Sequence, residues 1–324
     1  MKSFIFKSIF ARHLTDFLHY KRSLGFKYET EERLLKRLDK FFIEKDFVDL
    51  EIRKGRCKDW YALTPYNSIK TQAAKHGVLK AFCVYLNNIG VPAYVPQETF
   101  KKNPKYDAHI YTNTELKALF AVIDKSQSVE SECPYRGIMM PIFFRILYTS
   151  GLRVSELRLL RIKDFDLEKS VITVRSGKNN KDRLVPVHPL LSQKSKGIKD
   201  AVHLTSSEDE FFFMIKPGKP MSLQNIYKNF RRYLEKAGIS HTGRGPRVHD
   251  FRHTFCVNLL HKWTVQKQDL EAMLPYLRTI LGHESFKETA YYLKLTEEHF
   301  PEIRDQLQKC FPNIVKELDD EELG

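Results

Sequence analysis

The chain has 324 residues, of which 42% are hydrophobic and 29% are charged, a composition typical of a globular protein with room for two domains. Its formal net charge of +14 favours a polyanionic partner such as nucleic acid, although charge alone is also compatible with a basic protein of another kind. No apolar stretch approaches the roughly 20 residues of a membrane span. The five cysteines show no metal-ligand spacing. We therefore expect a cytoplasmic protein with reduced thiols, no membrane contact, no metal and no other cofactor.

The N-terminal third is the most basic part of the chain. Residues 1–106 hold 21 Lys and Arg against 11 Asp and Glu, which suits an electrostatic clamp on a DNA backbone. Apolar side chains recur with helical periodicity over residues 8–24, 29–44 and 67–89, and Lys and Arg occupy the other faces. These patterns predict an all-helical, basic domain at residues 1–92.

A proline-containing segment separates this domain from a second one. Residues 91–111 contain three prolines and no sustained period, which predicts an extended basic linker, placed at 93–111. Thr112, with Glu115 three residues later, is the signature of a capping box at the start of a helix. We therefore expect the second domain to occupy residues 112–311.

The second domain is predicted to be mainly helical with one small β-element. Two apolar runs at 170–174 and 183–187, joined by a polar turn at 177–181, predict a β-hairpin, and 211–215 is a short strand or a buried segment. Helical patterns lie at 114–124, 137–150, 222–238, 248–262, 267–281 and 285–310. The fold class is therefore α+β, mainly α with a small β-sheet or hairpin, and the chain ends in an acidic tail at 312–324.

Five polar side chains of the second domain form a set that suits one reaction. They are Arg153, His249, Arg252, His283 and Tyr292. Two guanidinium forks can grip a phosphodiester. An imidazole can move a proton near neutral pH, and a phenol can attack phosphorus and hold it covalently. The set points to DNA strand breakage through a covalent bond between protein and phosphate, without a metal.

Four motifs around these residues resemble, in the same order, those of the tyrosine recombinase or phage integrase family. They are TSGLRVSEL, GKNNKDRLVPV, HDFRHTF and LGHESFKETAYYL. The resemblance is strong over residues 145–190 and 245–296 and weaker in the N-terminal domain. It implies a helical, SAM-like core-binding domain and a tyrosine-recombinase catalytic domain, which close around duplex DNA as a C-shaped clamp.

The resemblance also implies a role for each residue of the set. Arg153 and Arg252 match the two arginines that hold the phosphate and stabilise the transition state. His249 matches the histidine that accepts or shuttles the tyrosine proton, and His283 matches a histidine that hydrogen-bonds the phosphate. Tyr292 lies nine residues after His283, where the family has its nucleophile.

Other residues compete with these assignments or add to them. Tyr291 is adjacent to Tyr292, and neighbouring helical residues point about 100° apart, so only one of the two can face a phosphate. Lys178 on the hairpin turn matches the lysine that gives a proton to the departing 5′ oxygen, and Lys181 is its local competitor. We interpret Glu156 as a residue that orients the first arginine or its helix, and a simple helix-end ion pair between the two is the alternative.

The implied activity is site-specific recombination, for integration, excision or transposition of a mobile element. The tyrosine oxygen forms a 3′-phosphotyrosyl bond and frees a 5′-hydroxyl, which later reverses the step without ATP or metal. The implied partners are double-stranded DNA with a specific site, further copies in a homo-tetramer, and in some systems a second recombinase or a DNA-bending protein, all on the nucleoid. The helix near 298–310 could dock on a neighbouring protomer or pack on its own domain.

Three rival functions fit parts of the pattern. His249, His253 and His283 could ligate a metal, but the HExxH signature needs Glu where Asp250 stands, and Arg252 would repel a cation. An accessory DNA-binding protein would not need every catalytic position to be filled. A type IB topoisomerase performs the same cleavage without exchanging partners, and tetramer assembly on paired sites would separate it from a recombinase.

Overall fold

The computed structural model describes residues 5–62, 68–100, 107–129, 132–175, 182–242 and 245–303. The chain divides into two compact units, Met1–Lys105 and Tyr106–Gly324. Both are built mainly from helices, and two small antiparallel sheets lie in the second unit. The predicted fold class is confirmed. Within the described ranges, no helix is both long enough and apolar enough to cross a membrane.

The described part of the first unit is helical. Its helices are α1 (Ala11–Ser23), α2 (Glu29–Glu44), α3 (Lys54–Tyr61) and α4 (Ile69–Asn88). Their apolar faces meet around an aromatic cluster in which the ring centroid of Phe10 lies 4.7 Å from that of Phe42 and 6.2 Å from that of Phe82. Three of the helices were predicted. The periodicity analysis missed α3 because this helix has only eight residues, with a glycine in its first turn.

Most of the predicted linker packs against one unit or the other. Residues 93–95 lie against the core of the first unit, and the amide of Tyr94 donates to the carbonyl of Ile52 over 2.8 Å. Ala108 and Tyr111 are buried in the second unit. The described parts of the segment therefore pack through their apolar side chains.

The second unit carries the remaining helices and strands. Its helices are α5 (Asn113–Asp124), α6 (Arg136–Ser150), α7 (Val154–Arg158), α8 (Pro189–Val202), α9 (Leu223–Lys236), α10 (Asp250–Val265), α11 (Leu270–Leu281) and α12 (Phe286–His299). The predicted capping box at Thr112 and Glu115 is present, with both reciprocal hydrogen bonds formed. Helix α8, which begins with Pro189 at its first turn, was not predicted.

Two small sheets accompany these helices. The strands are β1 (Phe165–Asp166), β2 (Val171–Val174), β3 (Arg183–Pro186), β4 (Met214–Lys216) and β5 (Lys219–Pro220). The first three pair in the order β1-β2-β3, and Val174 lies opposite Arg183. The two strands of the predicted hairpin are confirmed, and its tip at 177–181 lies outside the described residues.

Helix α10 lies between the two hydrophobic clusters of the second unit. Phe251, on its first turn, stacks against Tyr111 and Phe120 with centroid distances of 5.1 and 5.9 Å. Cys256 and Leu260 face the other cluster, which α11 and α12 complete. Because both sides of α10 are packed, the residues at its N-terminal end, His249 and Arg252, are held in fixed positions.

The described part of the C-terminal region packs on its own unit. The Phe300 ring stacks on His261 at 3.9 Å, and Ile303 is buried in the cluster around α11 and α12. Helix α12 ends at His299, earlier than the predicted limit of 310. Residues 304–324 lie outside the described part of the chain, and they include most of the predicted helix near 298–310.

Candidate active site

A glycine turn places Arg153 at the rim of a cleft. Gly151 ends α6 with φ of 65°, a left-handed conformation that residues with a Cβ rarely adopt. A Cβ at this position would also lie 2.6 Å from the Phe255 ring. The chain then reverses, and Arg153 becomes the N-cap of α7.

One buried carboxylate fixes the orientation of Arg153. The backbone amide of Arg153 donates to Glu156 Oε2 over 2.9 Å, and its Nη1 donates to Oε1 over 3.0 Å. The same carboxylate pairs with Arg183. Burial by itself would raise the pKa of Glu156, but hydrogen bonds and charges from Arg183 and Arg153 outweigh it and hold the pKa below its usual value. Glu156 therefore stays ionised and holds Arg153 through an ion pair at the start of α7, an arrangement that fits both the orienting role and the simple helix-end ion pair.

Arg252 joins three parts of the unit. It is only 2% exposed. Its Nη1 donates to the Gly151 carbonyl over 2.7 Å, and its Nη2 donates to the Leu281 carbonyl over 2.8 Å and approaches His283 Nε2 at 2.9 Å. These bonds hold the end of α6, the end of α11 and His283 around one positive charge.

His283 is held as a neutral ring of one tautomer. Arginine can only donate, so His283 Nε2 accepts from Arg252 and Nδ1 must carry the proton. That Nδ1 donates to Thr289 Oγ1 over 2.9 Å. The ring stacks on Tyr292 with a centroid distance of 5.9 Å and an interplanar angle of 1°. The hydrogen bonds on both nitrogens keep His283 against the face of Tyr292.

His249 and His253 form an edge-on pair at the start of α10, with centroids 4.9 Å apart. The pKa of His249 is lowered, first because neighbouring protein atoms displace water from the ring and then because of the charges on Arg252 and Arg153. Solvent still reaches the exposed edge of His249, which weakens this effect. Burial lowers the pKa of His253 to about 3. Both rings are neutral at physiological pH.

Tyr292 is buried in the free chain, with 3% of its surface exposed. Its ring contacts those of His253, His283 and Tyr291 at centroid distances of 5.6, 5.9 and 5.5 Å. Burial raises the pKa of the phenol, the neighbouring Cys256 adds to this, and the Arg252 guanidinium opposes it. The phenol is therefore protonated, and Arg252 is the neighbouring group that favours its ionised form.

Five of the six predicted site residues line one open cleft of about 270 Å³. The lining residues are Arg153, His249, Arg252, His283, Glu288, Tyr291 and Tyr292. Lys178 lies outside the described residues. Both tyrosines reach the cleft, so the lining alone does not choose between them. The ring of His253 packs against those of His249 and Tyr292, with centroid distances of 4.9 and 5.6 Å.

Sequence reasoning missed several residues of this site. Glu288 lines the cleft, Thr289 anchors His283, and Arg183 shares the carboxylate of Glu156. Ser285 with Glu288 three residues later is a helix-start signature, and Ser285 does cap α12. That signal could have placed the start of α12, but nothing in the sequence alone links Arg183 to the site.

Comparisons with known proteins show which sequences this chain is related to. Residues 110–299 match the phage integrase family. The chain is 31% identical over 298 residues to "Putative integrase/recombinase y4rE" of Sinorhizobium fredii, covering 88% of this chain and 92% of the relative. It is 29% identical over 234 residues to the tyrosine recombinase XerA of Thermococcus kodakarensis, covering 71% and 73% of the two chains.

Solved structures share the fold. The Tn1549 transposon integrase in complex with circular intermediate DNA superposes with a TM-score of 0.59 at 20% identity, covering 86% of this chain and 94% of that one. The XerH site-specific recombinase bound to a difH substrate superposes with a TM-score of 0.58 at 21% identity, covering 82% and 75%. The family match spans more than half of the chain, so this protein belongs to the tyrosine recombinase (phage integrase) family of site-specific DNA recombinases.

Proposed function

We propose that this recombinase cuts and rejoins DNA through a covalent 3′-phosphotyrosyl bond to Tyr292. One observation carries the proposal: Tyr292 stacks on His283, and His283 is bonded to Arg252, in a cleft that Arg153 and His249 also line. A phenol, two guanidinium groups and neutral imidazoles are the groups that attack on a phosphodiester requires.

The two arginines hold the scissile phosphate. Arg153 is the more accessible, with 24% of its side chain exposed, and it supplies a fork for the non-bridging oxygens. Arg252 also lines the cleft, and in the free chain its guanidinium donates to the Gly151 carbonyl, the Leu281 carbonyl and His283. Its positive charge attracts the phosphate and stabilises the charge that develops in the transition state.

Proton transfer accompanies the attack. The Tyr292 oxygen forms a bond to phosphorus, the bond from phosphorus to the 5′ oxygen breaks, and the phenolic proton moves to neutral His249. Lys178, by family resemblance, gives a proton to the departing 5′ oxygen. The 5′-hydroxyl of the same or a partner duplex then attacks the phosphotyrosyl bond and releases Tyr292, so bonds and protons balance over the cycle.

The nucleophile has to be uncovered before it can react. With 3% of its surface exposed, Tyr292 reaches the cleft through only a small part of its side chain. DNA binding must therefore shift α12 or the residues that cover the phenol. Restricting the reactive conformation to the bound complex also protects DNA from cleavage by the free protein.

The proposed partners follow from the charge and from the relatives. Neighbouring folds include an integrase and a recombinase in complexes with DNA, and the basic residues 1–106 suit a duplex backbone. We assign DNA binding to a core-binding domain at 1–92, a linker to 93–111, catalysis to 112–311 and an acidic tail to 312–324. Four copies act on paired sites on the nucleoid, for movement of a mobile element, alone or with a second recombinase or a DNA-bending protein.

The chemistry can be tested with DNA that the protein itself selects. The full chain is used to enrich duplexes from a random pool, and the enriched sequence is synthesised as a series with a nick at successive positions. Cleavage near the nick releases a short fragment and traps the adduct. With EDTA present during cleavage, we expect a covalent adduct on the strand labelled at its 5′ end. Cleavage should also create a new 5′-hydroxyl, which polynucleotide kinase can label in a later step. An adduct on the 5′ phosphate, or cleavage only with added metal, would contradict the proposal.

A further inference from the structure

Arg183 is a buried arginine that the proposed chemistry leaves without a role. It is the first residue of β3, and its side chain is 6% exposed. It is absent from the set that lines the cleft. A buried guanidinium is costly unless its donors are paired, so its partners indicate what it stabilises.

The first partner is the carboxylate that orients Arg153. Arg183 Nη1 donates to Glu156 Oε1 over 3.0 Å, and Nη2 donates to Oε2 over 2.7 Å, in a bidentate geometry. Each Glu156 oxygen also accepts from Arg153. Four hydrogen bonds from two arginines thus restrict the movement of the carboxylate. Because Arg153 is bonded to this carboxylate, its side chain is restricted as well.

The second partner is the turn that carries His283. Arg183 Nε donates to the Ile280 carbonyl, in the last turn of α11, over 2.8 Å. Gly282 follows with φ of 64°, and a Cβ there would lie 3.0 Å from Arg183 Nη1. The guanidinium therefore packs directly against the backbone that ends α11, one residue before His283.

We propose that Arg183 is a positioning residue that fixes the distance between Arg153 and His283 across the phosphate cleft. This inference rests on the proposed function, because it concerns the same cleft. Arg183 touches Glu156 on one side and the Ile280–Gly282 backbone on the other, so it braces two elements that are distant in sequence. It does not contact the phosphate, because its side chain is only 6% exposed, it is absent from the cleft lining, and it faces Glu156 and the Ile280 carbonyl instead.

The expected defect is in the rate of cleavage rather than in DNA binding. A shift of about 1 Å in a reacting group can cost about 100-fold in rate. We therefore expect Arg183→Met to lower the single-turnover rate constant of adduct formation about 100-fold at saturating DNA. The concentration of duplex at half-saturation should stay within about threefold of the wild-type value, because the DNA contacts are unchanged. Arg183→Lys keeps the charge without the fork and should give an intermediate rate constant.

The experiment uses the nicked duplex series described above with full-length variants. Arg145→Met is the matched control, because Arg145 makes a bidentate pair with Asp124 in the same unit, among residues that do not line the cleft. The adduct amplitude reports the folded fraction, and the rate constant reports the geometry of the site. A role that is only structural would lower the amplitude and the melting temperature in both variants, and would leave the rate constant unchanged.

A double-mutant comparison tests whether Arg183 acts on the reaction by positioning Arg153. In an Arg153→Lys background, Arg183→Met should reduce the rate constant by less than about threefold, because contacting residues do not act additively. The proposal would be overturned if the rate constant of the double variant fell by the product of the reductions in the two single variants. An Arg183→Met rate constant within threefold of the wild type would also overturn it.

If Arg183→Met does not fold, Arg183→Lys decides by the same criterion. A wild-type protein that forms no adduct while binding its selected duplex would instead contradict the proposed function, and this inference with it.

Discussion

Glu156 is the residue on which the charge balance of the cleft depends. Two arginines share its carboxylate, and its side chain is only 9% exposed. Removing one partner from a buried ion pair leaves the other charges unpaired in a poorly solvated environment, which is destabilising. Arg153 at the cleft is thus held by an anion that does not itself line the cleft.

Neutralising this carboxylate should destabilise the fold in a pH-dependent manner. We expect Glu156→Gln to lower the free energy of unfolding by about 3 kcal/mol at pH 7. The pKa of Glu156 is held below its usual 4.5, so its contribution is fully present above pH 4.5 and is lost as pH falls through the folded-state pKa. The difference between wild type and variant, measured by urea unfolding at several pH values, should therefore shrink below pH 4.5. A difference that stays constant down to pH 3 would contradict this assignment.

Sequence reasoning at this scale selected five residues that the structure brings to one cleft, and it missed several of the residues that hold them. Arg153, Arg252 and Tyr292 carry chemistry that a single sequence reveals through residue type, order and family resemblance. Thr289 and Arg183 are ordinary residues whose importance comes only from partners, and Arg183 reaches a carbonyl 97 positions away. Such contacts depend on the tertiary fold and leave no local pattern.

Two left-handed glycines turn the elements that carry the site. Gly151 ends α6 before Arg153, and Gly282 ends α11 before His283. At both positions, an added Cβ would come close to a side chain of the site region, Phe255 or Arg183. The glycines therefore serve both the backbone conformation and the close approach of neighbouring elements.

Gly151→Ala should cost more than backbone strain alone. A left-handed alanine costs about 1 kcal/mol, and the clash with Phe255 should add about 1–3 kcal/mol. Gly238→Ala is the matched control, because Gly238 has φ of 71° with nothing within 4 Å of an added Cβ. We expect thermal unfolding to show a clearly larger loss for Gly151→Ala, and adduct formation to fall only in that variant. Equal losses in the two variants would show that the contact with Phe255 is unimportant.

At the level of elements, strong periodicity was informative and short elements were not. The hairpin strands, the capping box at Thr112 and the long helices were predicted because their patterns extend over several turns or pairs. Helices α3, α7 and α8 were missed, because α3 and α7 are short and α8 follows a strand through a Pro-containing turn. The linker was predicted from its prolines and its lack of a sustained period. In its described parts, apolar residues determine where it packs.

The whole molecule carries a charge that should govern its affinity for DNA. With a net charge of +14, concentrated in residues 1–106, binding to a duplex should release several counterions. We expect affinity for a random duplex, measured by fluorescence anisotropy, to fall about 10³-fold between about 50 and 200 mM salt, as for a protein that contacts about six phosphates. The melting temperature over the same salt range is the control. A loss below tenfold would argue against an electrostatic clamp.

The family could be anticipated from the sequence, because the order of several motifs along the whole chain is a global signal. The DNA site could not, since base recognition depends on a few side chains in the grooves that no motif identifies.

Adduct formation by Tyr292→Phe and Tyr291→Phe variants tests the central claim most directly. The two tyrosines are adjacent on α12 and both line the cleft, so each variant controls for the other. With EDTA and a nicked duplex selected by the protein, we predict a covalent adduct for wild type and Tyr291→Phe and none for Tyr292→Phe. An adduct that persists in Tyr292→Phe and is lost in Tyr291→Phe would contradict the account and assign the nucleophile to the neighbouring residue.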